Sequence, residues 1–257
     1  MKKYVSLFLA FVLYATGSFA QLKPVKYKDG NQVLNGFSIQ QSKKSPQKPG
    51  ILILPAWMGI DKLSKDTAEN LSKLGYYAFV ADIYGEGNYP KDYKEAGKNA
   101  GYYKTNFVDY QKRISLALEQ LILSGANPDN IVVIGYCFGG TGALEAARGK
   151  LNVKGVVSFH GGLGFDAKRT IIPLTPKVLV CHGADDPYES KEEIEAFQQE
   201  MRDTKADWQM IYYANAVHSF TNPESGTDNS KGAAYNEIAA KRSWEHLKLF
   251  LNEVLKK

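Results

Sequence analysis

Three side chain types in this sequence can support nucleophilic catalysis, and they follow one another along the chain as Cys, Asp and His. The cysteine is Cys137, in Gly135-Tyr136-Cys137-Phe138-Gly139. The apolar run Ile131-Val132-Val133-Ile134 precedes it, and the helix-forming stretch Gly140-Thr141-Gly142-Ala143-Leu144-Glu145-Ala146-Ala147 follows. Strand, sharp turn, helix is the context of a nucleophile elbow, here with cysteine where serine is usual. The turn is strained, and glycine on either side lets the backbone close around the nucleophile. Such a turn lifts the thiol above the sheet edge and aims the amino end of a helix at it, which favours the thiolate. The plainer reading is a structural cysteine buried in a glycine-rich turn.

The acid and base candidates sit in the same kind of place. Val178-Leu179-Val180-Cys181-His182-Gly183-Ala184-Asp185-Asp186-Pro187 is an apolar strand that runs into a glycine turn and two acids. Trp208-Gln209-Met210-Ile211-Tyr212-Tyr213 reads as a last strand running into Ala214-Asn215-Ala216-Val217-His218-Ser219-Phe220. Each candidate follows the carboxyl end of an expected strand, the edge of an open parallel sheet where ligands bind. The expected base is His218, which alone of the four histidines follows both nucleophile and acid. His246 reads as a helix-surface residue, and His182 continues a strand into the acid loop. His160 ends the strand after the elbow strand, where it can line a pocket. Asp185 and Asp186 are rivals for the acid, and one of the two is a solvated or turn-capping residue.

The chain resembles the dienelactone hydrolase family of α/β-hydrolases. The matching residues are Gly135-Tyr136-Cys137-Phe138-Gly139-Gly140, Gly183-Ala184-Asp185-Asp186 and His218-Ser219-Phe220. The likeness extends to Leu54-Pro55-Ala56-Trp57-Met58-Gly59, Ala81-Asp82-Ile83-Tyr84-Gly85 and the closing Ala234–Phe250 stretch. It implies an α/β-hydrolase fold, a mostly parallel central sheet with helices on both faces and a short N-terminal antiparallel hairpin. The family pattern Gly-x-x-Asp, counted from Gly183, favours Asp186 over Asp185. An oxyanion hole is expected from the backbone N–H groups of Phe138 and Trp57. Met58, Tyr84, Glu86, Tyr136 and His160 are the expected substrate pocket, with Phe165 and Tyr188 on nearby loops.

Three departures from the family pattern bear on the substrate. The family's thiol-contacting glutamate in the first strand–helix loop is replaced by Ala56. Its two carboxylate-holding arginines are matched by Glu86 and Asn222. The resemblance therefore implies a neutral apolar substrate rather than an anionic lactone, with Arg169 the nearest basic competitor in sequence.

The rest of the chain bounds this reading. Met1-Lys2-Lys3, a mostly apolar Tyr4–Tyr14 stretch and Gly17-Ser18-Phe19-Ala20 form an expected secretory signal peptide, residues 1–20, cleaved before Gln21. That predicts a secreted or periplasmic protein of 237 residues, 21–257, forming one α/β domain. Loss of Lys2 and Lys3 lowers the formal charge from +5 to +3, too mild an excess to suggest nucleic acid. After cleavage no second long apolar run suggests a membrane span. Histidine and cysteine spacing implies neither a metal nor an organic cofactor. The expected partner is a small-molecule substrate, and the fold suits a monomer or homodimer. Cys137 and Cys181 are the two cysteines. A bridge between them is the bland alternative; strand order places them on non-adjacent strands, so none is expected.

Expected strands are Val25–Gln40 as a hairpin turned at Asp29-Gly30-Asn31, then Gly50–Leu54, Tyr77–Ala81, Asn130–Ile134, Val153–Phe159, Val178–Cys181 and Trp208–Tyr213. Expected helices are Lys62–Leu74, Thr105–Leu123, Phe138–Arg148, Lys191–Arg202 and Ala234–Leu255; in the second, Val108, Ile114, Leu118 and Leu121 mark the apolar stripe. The function expected of this arrangement is hydrolysis of an ester, thioester or lactone through a Cys137 thioacyl intermediate. The competing reading is a non-catalytic binding or thiol-sensing protein on the same fold.

Overall fold

The computed structural model describes residues 21–166 and 169–256; the expected signal peptide, residues 1–20, lies outside the described residues. The strands are β1 (Lys23–Asp29), β2 (Gln32–Ile39), β3 (Gly50–Leu54), β4 (Tyr77–Val80), β5 (Ile131–Tyr136), β6 (Gly155–Phe159), β7 (Lys177–Gly183) and β8 (Trp208–Tyr213). They form one sheet in the order β1-β2-β4-β3-β5-β6-β7-β8. β1 and β2 make the expected antiparallel hairpin, with Gly30 at φ +55° in its turn, and β2 joins β4 antiparallel. From β4 to β8 every pairing is parallel.

The helices are α1 (Lys62–Lys73), α2 (Tyr93–Thr105), α3 (Phe107–Leu123), α4 (Phe138–Arg148), α5 (Lys191–Asp203) and α6 (Glu237–Val254). Both faces of the sheet are covered. α1 and α6 pack on one face through Ala68, Leu71, Ala239, Leu247 and Phe250. The helices α2 to α5 cover the other through residues such as Tyr103, Ile114, Ala143 and Phe197. This double covering explains why β5 is apolar at every position from Ile131 to Ile134 instead of alternating. The faces still alternate within it: Ile131 and Val133 pack toward α3 and α4, while Val132, Ile134 and Tyr136 pack toward α1 and α6.

The helix α2 is absent from the sequence reading. It carries Gly97 and Gly101, which lower helix propensity, and it buries little: Ala96, Ala100 and Tyr103. Its apolar signal is weak, yet its position over the sheet edge matters for the site below. The chain turns at Asn106 between α2 and α3. Val108, placed in the apolar stripe of α3, is exposed, and Tyr110 and Ala117 join Ile114, Leu118 and Leu121 in its buried face.

Cys137 and Cys181 are both free thiols. Cys181 in β7 pairs with Phe159 of β6, which pairs in turn with Tyr136 of β5. One strand thus separates the two cysteine strands, about 9–10 Å in all, beyond disulfide reach.

Candidate active site

The turn after β5 places Cys137 at φ 52°, ψ −116°, a conformation a residue with a side chain rarely adopts. Two close approaches hold it there. A side chain on Gly135 would lie 1.9 Å from the Gly139 carbonyl oxygen, and one on Gly139 would lie 2.1 Å from that of Leu54. Glycine at both positions lets the elbow fold onto itself and press against the end of β3. That contact brings the Pro55–Gly59 loop beside Cys137. In this loop the Gly59 N–H donates to the Ala56 carbonyl at 2.9 Å. Because the peptide is trans, the N–H of Trp57 points the opposite way from that carbonyl. The Tyr84 hydroxyl donates to the Trp57 carbonyl at 2.7 Å and fixes the next peptide. The first turn of α4 is clamped from below: Phe138 stacks on Tyr110 at 4.6 Å and on Tyr84 at 5.8 Å, and the Tyr110 hydroxyl donates to the Phe138 carbonyl at 2.9 Å.

Asp186 and His218 come from the loops after β7 and β8. These loops pack backbone to backbone, since a side chain on Gly183 would meet the Ala216 carbonyl oxygen at 2.6 Å. The backbone of His218 is also held by the segment before α6: its N–H donates to Gly232 and its carbonyl accepts from Ala234. The result is a 2.9 Å hydrogen bond between His218 Nδ1 and Asp186 Oδ2. The other Asp186 oxygen accepts the Tyr188 N–H at 3.0 Å, and the Asp186 side chain is fully buried. Asp185 is exposed, with its N–H given to the Ala216 carbonyl. Nδ1 being engaged, Nε2 of His218 is the ring nitrogen left for the Cys137 thiol, on which the His218 charge acts.

Electrostatics favour charge separation between the two. Burial pushes the Cys137 thiol up, but the His218 hydrogen bond and charge, the Phe138 N–H and the Lys104 charge outweigh it, holding the thiol below its ordinary value. For His218, burial opposes the proton, while hydrogen bonds to Asp186 and Cys137 raise its pKa above the ordinary imidazole range. Thiolate and imidazolium each stabilise the other.

The other histidines are engaged elsewhere. His246 Nδ1 lies 2.7 Å from the Tyr213 hydroxyl. His182 is buried, packs edge-on to Tyr212, and is held toward its neutral form by that burial. His160, expected in the pocket wall, instead lies buried behind Cys137. Its Nδ1 accepts the Cys137 N–H at 3.2 Å and its Nε2 lies 2.8 Å from Thr221 Oγ1. Burial, then the nearby His218 charge, keeps it neutral. A neutral His160 with its Nε2 proton given to Thr221 is the form that can accept at Nδ1.

Two further pocket expectations are corrected by side-chain direction. The parity of β5 sends Tyr136 to the α1/α6 face, where it stacks on Phe159 and lies 3.1 Å from Thr67 Oγ1. It lines a separate cavity of about 250 Å3 with Thr67, Thr221, Asn222 and Trp244, and neither Cys137 nor His218 borders it. Glu86 turns toward the N-terminal hairpin: its N–H donates to Val33, and its exposed carboxylate faces Asn35 and Lys26. Its loop pairs with β2, so the charge is spent there. Tyr84 is buried close to the thiol, and Met58 is half-exposed beside Trp57, whose ring stacks on Tyr93 at 5.6 Å. Arg169 is not free to replace a lost arginine. Its guanidinium bonds both Glu145 oxygens, at 2.9 and 2.6 Å, and lies over the Phe107 ring.

The sequence reading missed Lys104, Thr141 and Glu189. Lys104, at the end of α2, is the lysine whose charge acts on Cys137. Thr141 lies one helical turn past Cys137 and Glu189 three residues past Asp186, the spacings that could have drawn attention to them. Among the described residues there is no group of three or more His, Cys, Asp or Glu that could hold a metal, and no helix long and apolar enough to cross a membrane.

An elbow cysteine at one strand end and a hydrogen-bonded histidine–aspartate pair at later strand ends narrow the comparison to known hydrolases. The dienelactone hydrolase family model matches residues 37–255. The chain belongs to the dienelactone hydrolase family. It is therefore a hydrolase on an α/β-hydrolase fold. A solved dienelactone hydrolase-like promiscuous phosphotriesterase from metagenomic libraries is 32% identical, with a TM-score of 0.87 over 93% of this chain and 100% of its own. A protein of a Bradyrhizobium species, named a probable 2-oxo-3-(5-oxofuran-2-ylidene)propanoate lactonase, is 28% identical over 79% of this chain and 83% of its own. An uncharacterized protein of Caenorhabditis elegans is 38% identical over 46% of this chain and 77% of its own.

Proposed function

We propose that the protein hydrolyses a neutral ester, thioester or lactone by covalent catalysis at Cys137, with His218 as base and acid and Asp186 as its orienting partner. The observation that carries this reading is the 2.9 Å hydrogen bond between His218 and Asp186, with the His218 charge acting on the elbow thiol. The Cys137 thiolate attacks the carbonyl carbon, and the carbonyl π electrons move onto oxygen. The N–H groups of Phe138 and Trp57 receive that developing charge. As the intermediate collapses, the proton on His218 Nε2 passes to the leaving oxygen or sulfur, and a thioester to Cys137 remains. His218, now neutral, takes a proton from water as water adds to the thioester. Release of the acid restores the thiolate–imidazolium pair. Asp186 holds the ring in the required tautomer throughout and stabilises the imidazolium.

Lactone hydrolysis in the names of the family and of the Bradyrhizobium relative supports the bond type. A neutral substrate is supported by Asn222 and Glu86 at the family's arginine positions, and by Arg169 being taken by Glu145. The N-terminal sequence supports export, with Gln21 as the first residue of the mature protein.

Incubation with an aryl ester followed by rapid acid quench should give a protein mass increased by one acyl group, located on Cys137 and decaying with turnover. Cys137→Ala should lose both the adduct and the turnover. Full activity in that variant sinks the mechanism. Matched neutral and carboxylate-bearing esters test the charge preference through kcat/KM, and N-terminal sequencing of the protein isolated from its cells tests the cleavage.

A further inference from the structure

A cavity of about 360 Å3 opens on the α2–α5 side of the sheet edge, lined by Lys104, Thr141, Gly162, Phe165, Tyr188 and Glu189 among others. It adjoins the reacting groups. The Thr141 N–H donates to the Cys137 carbonyl at 3.2 Å, Tyr188 packs edge-on to the His218 ring at 5.2 Å, and the Lys104 charge acts on the thiol. Over the Gly162 α-carbon three polar groups converge. A methyl group built there would lie 3.1 Å from Thr141 Oγ1 and 3.4 Å from both Glu189 Oε1 and Lys104 Nζ. Gly162 is not among the glycines with positive φ, so its missing side chain reflects space and not backbone conformation.

The three groups are not spent on one another. Thr141 is 5% exposed, and its Oγ1 is buried with no hydrogen-bond partner. Leaving such a hydroxyl unpaired is unfavourable, so a partner from outside the chain is expected. Glu189 uses Oε2 to accept the Leu163 N–H at 2.9 Å, which leaves Oε1 facing the cavity. Among the described residues Lys104 is in no ion pair within 4 Å. Of the other charged residues in the cavity wall, Glu145 binds Arg169 and Glu193 accepts the Ser190 N–H; Asp166 adds a further carboxylate.

The geometry points to a subsite that binds a hydroxyl group of the substrate, so that the enzyme prefers hydroxylated neutral esters or lactones. This rests on the hydrolase reading above and names its substrate class. A hydroxyl both donates and accepts, and Glu189, Lys104 and Thr141 offer an acceptor, a donor and a group that can be either. A carboxylate in the same space would face the Glu189 carboxyl. An alkyl group would leave Thr141 unpaired and strip water from two ionisable groups. Specificity of this kind is strong, because a site built for hydrogen bonding penalises the analogue that lacks the group.

Two matched comparisons test it: phenyl 3-hydroxybutanoate against phenyl butanoate, and 2-hydroxyethyl butanoate against ethyl butanoate. They place the hydroxyl on the acyl and alcohol sides in turn. In the wild-type enzyme at least one hydroxylated member should have a kcat/KM about tenfold higher, the yield of one to two net hydrogen bonds. Thr141→Val, which keeps the shape and removes the hydroxyl, and Gly162→Ala, which fills the space, should each bring that ratio to about one. A ratio near one for both pairs in the wild type overturns the proposal, as does a ratio that survives in both variants. Calorimetry on Cys137→Ala with N-phenyl 3-hydroxybutanamide and N-phenylbutanamide reads the subsite without turnover. Tighter binding of the hydroxylated anilide alongside an absence of ester turnover in the wild type would leave the subsite standing and remove the hydrolase mechanism. Equal binding of the two anilides, together with a kcat/KM ratio near one for the 2-hydroxyethyl and ethyl butanoate pair, removes the subsite.

Discussion

Replacing Asp186 with Asn keeps the volume of the side chain and removes its charge. The bond it alters is the 2.9 Å contact to His218 Nδ1, made by a carboxylate with no exposed surface to an imidazole that is 13% exposed. A buried charge-assisted hydrogen bond of this kind contributes about 1.5–3 kcal/mol net. At about 1.4 kcal/mol per pKa unit, the imidazolium should lose its proton about 1–2 units lower than in the wild type. The thiolate–imidazolium pair then shifts toward neutral thiol and imidazole by about 10–100-fold. Thiolate is the nucleophile, so the rate of Cys137 alkylation by iodoacetamide near neutral pH should fall by up to that factor. The alkaline limb of kcat/KM, where His218 loses its proton, should move toward neutral pH. The rate of alkylation, followed across about pH 5–10 in wild type, Asp186→Asn and Asp185→Asn, measures this directly. Turnover of an aryl ester should fall further, by about 10²–10⁴, since the amide can also hold the wrong tautomer. An Asp186→Asn profile that overlays the wild type would falsify the argument, as would a larger effect from the exposed Asp185.

Three other outcomes follow from the packing and the titrating groups. Gly139→Ala puts a methyl group 2.1 Å from the Leu54 carbonyl oxygen, backbone against backbone; overpacking of about 1–3 kcal/mol or more should lower the melting temperature by at least about 3–10 °C, read by calorimetry. A thiol-reactive chromophore should label Cys137 quickly in the folded protein and Cys181 only after denaturation, because Cys181 is fully buried, accepts the Tyr213 hydroxyl at 3.5 Å and is pushed up to about 12 by burial; two fast thiols in the native state would contradict this. Burial raises the Glu189 carboxyl from 4.5 to about 7, so the folded state holds this proton more tightly than the unfolded one, and Glu189 contributes stability below about pH 4.5 that is lost as pH rises through about 7. Glu189→Gln should therefore gain stability relative to wild type between those values, measured by urea denaturation at both ends of the window.

Much of the site was legible in the linear sequence because its parts are local. A nucleophile elbow is built from five consecutive residues, and Gly135 and Gly139 are demanded by contacts made within that turn and to the adjacent strand. Apolar runs such as Ile131–Ile134 and Val178–Cys181 report buried parallel strands, and a parallel sheet brings their carboxyl ends to one edge. That is why Cys137, Asp186 and His218 could be named together, and why strand order alone argued against a bridge from Cys137 to Cys181.

What the sequence left undetermined depends on direction and on neighbours from distant segments. Tyr136 is adjacent to Cys137 yet faces α1 and α6, because strand parity turns consecutive side chains to opposite faces. Glu86 lies in a loop at the correct edge, but pairing of that loop with β2 draws its carboxylate to Asn35 and Lys26. His160 reads as a pocket residue until the structure shows both ring nitrogens engaged behind the elbow. The cluster of Lys104, Thr141 and Glu189 brings together α2, α4 and the loop after β7, segments joined only by the packing of helices on the sheet. Hydrogen bonds need contact at about 3 Å, so which polar groups meet at Gly162 was settled by the tertiary structure and by nothing local to any one of them.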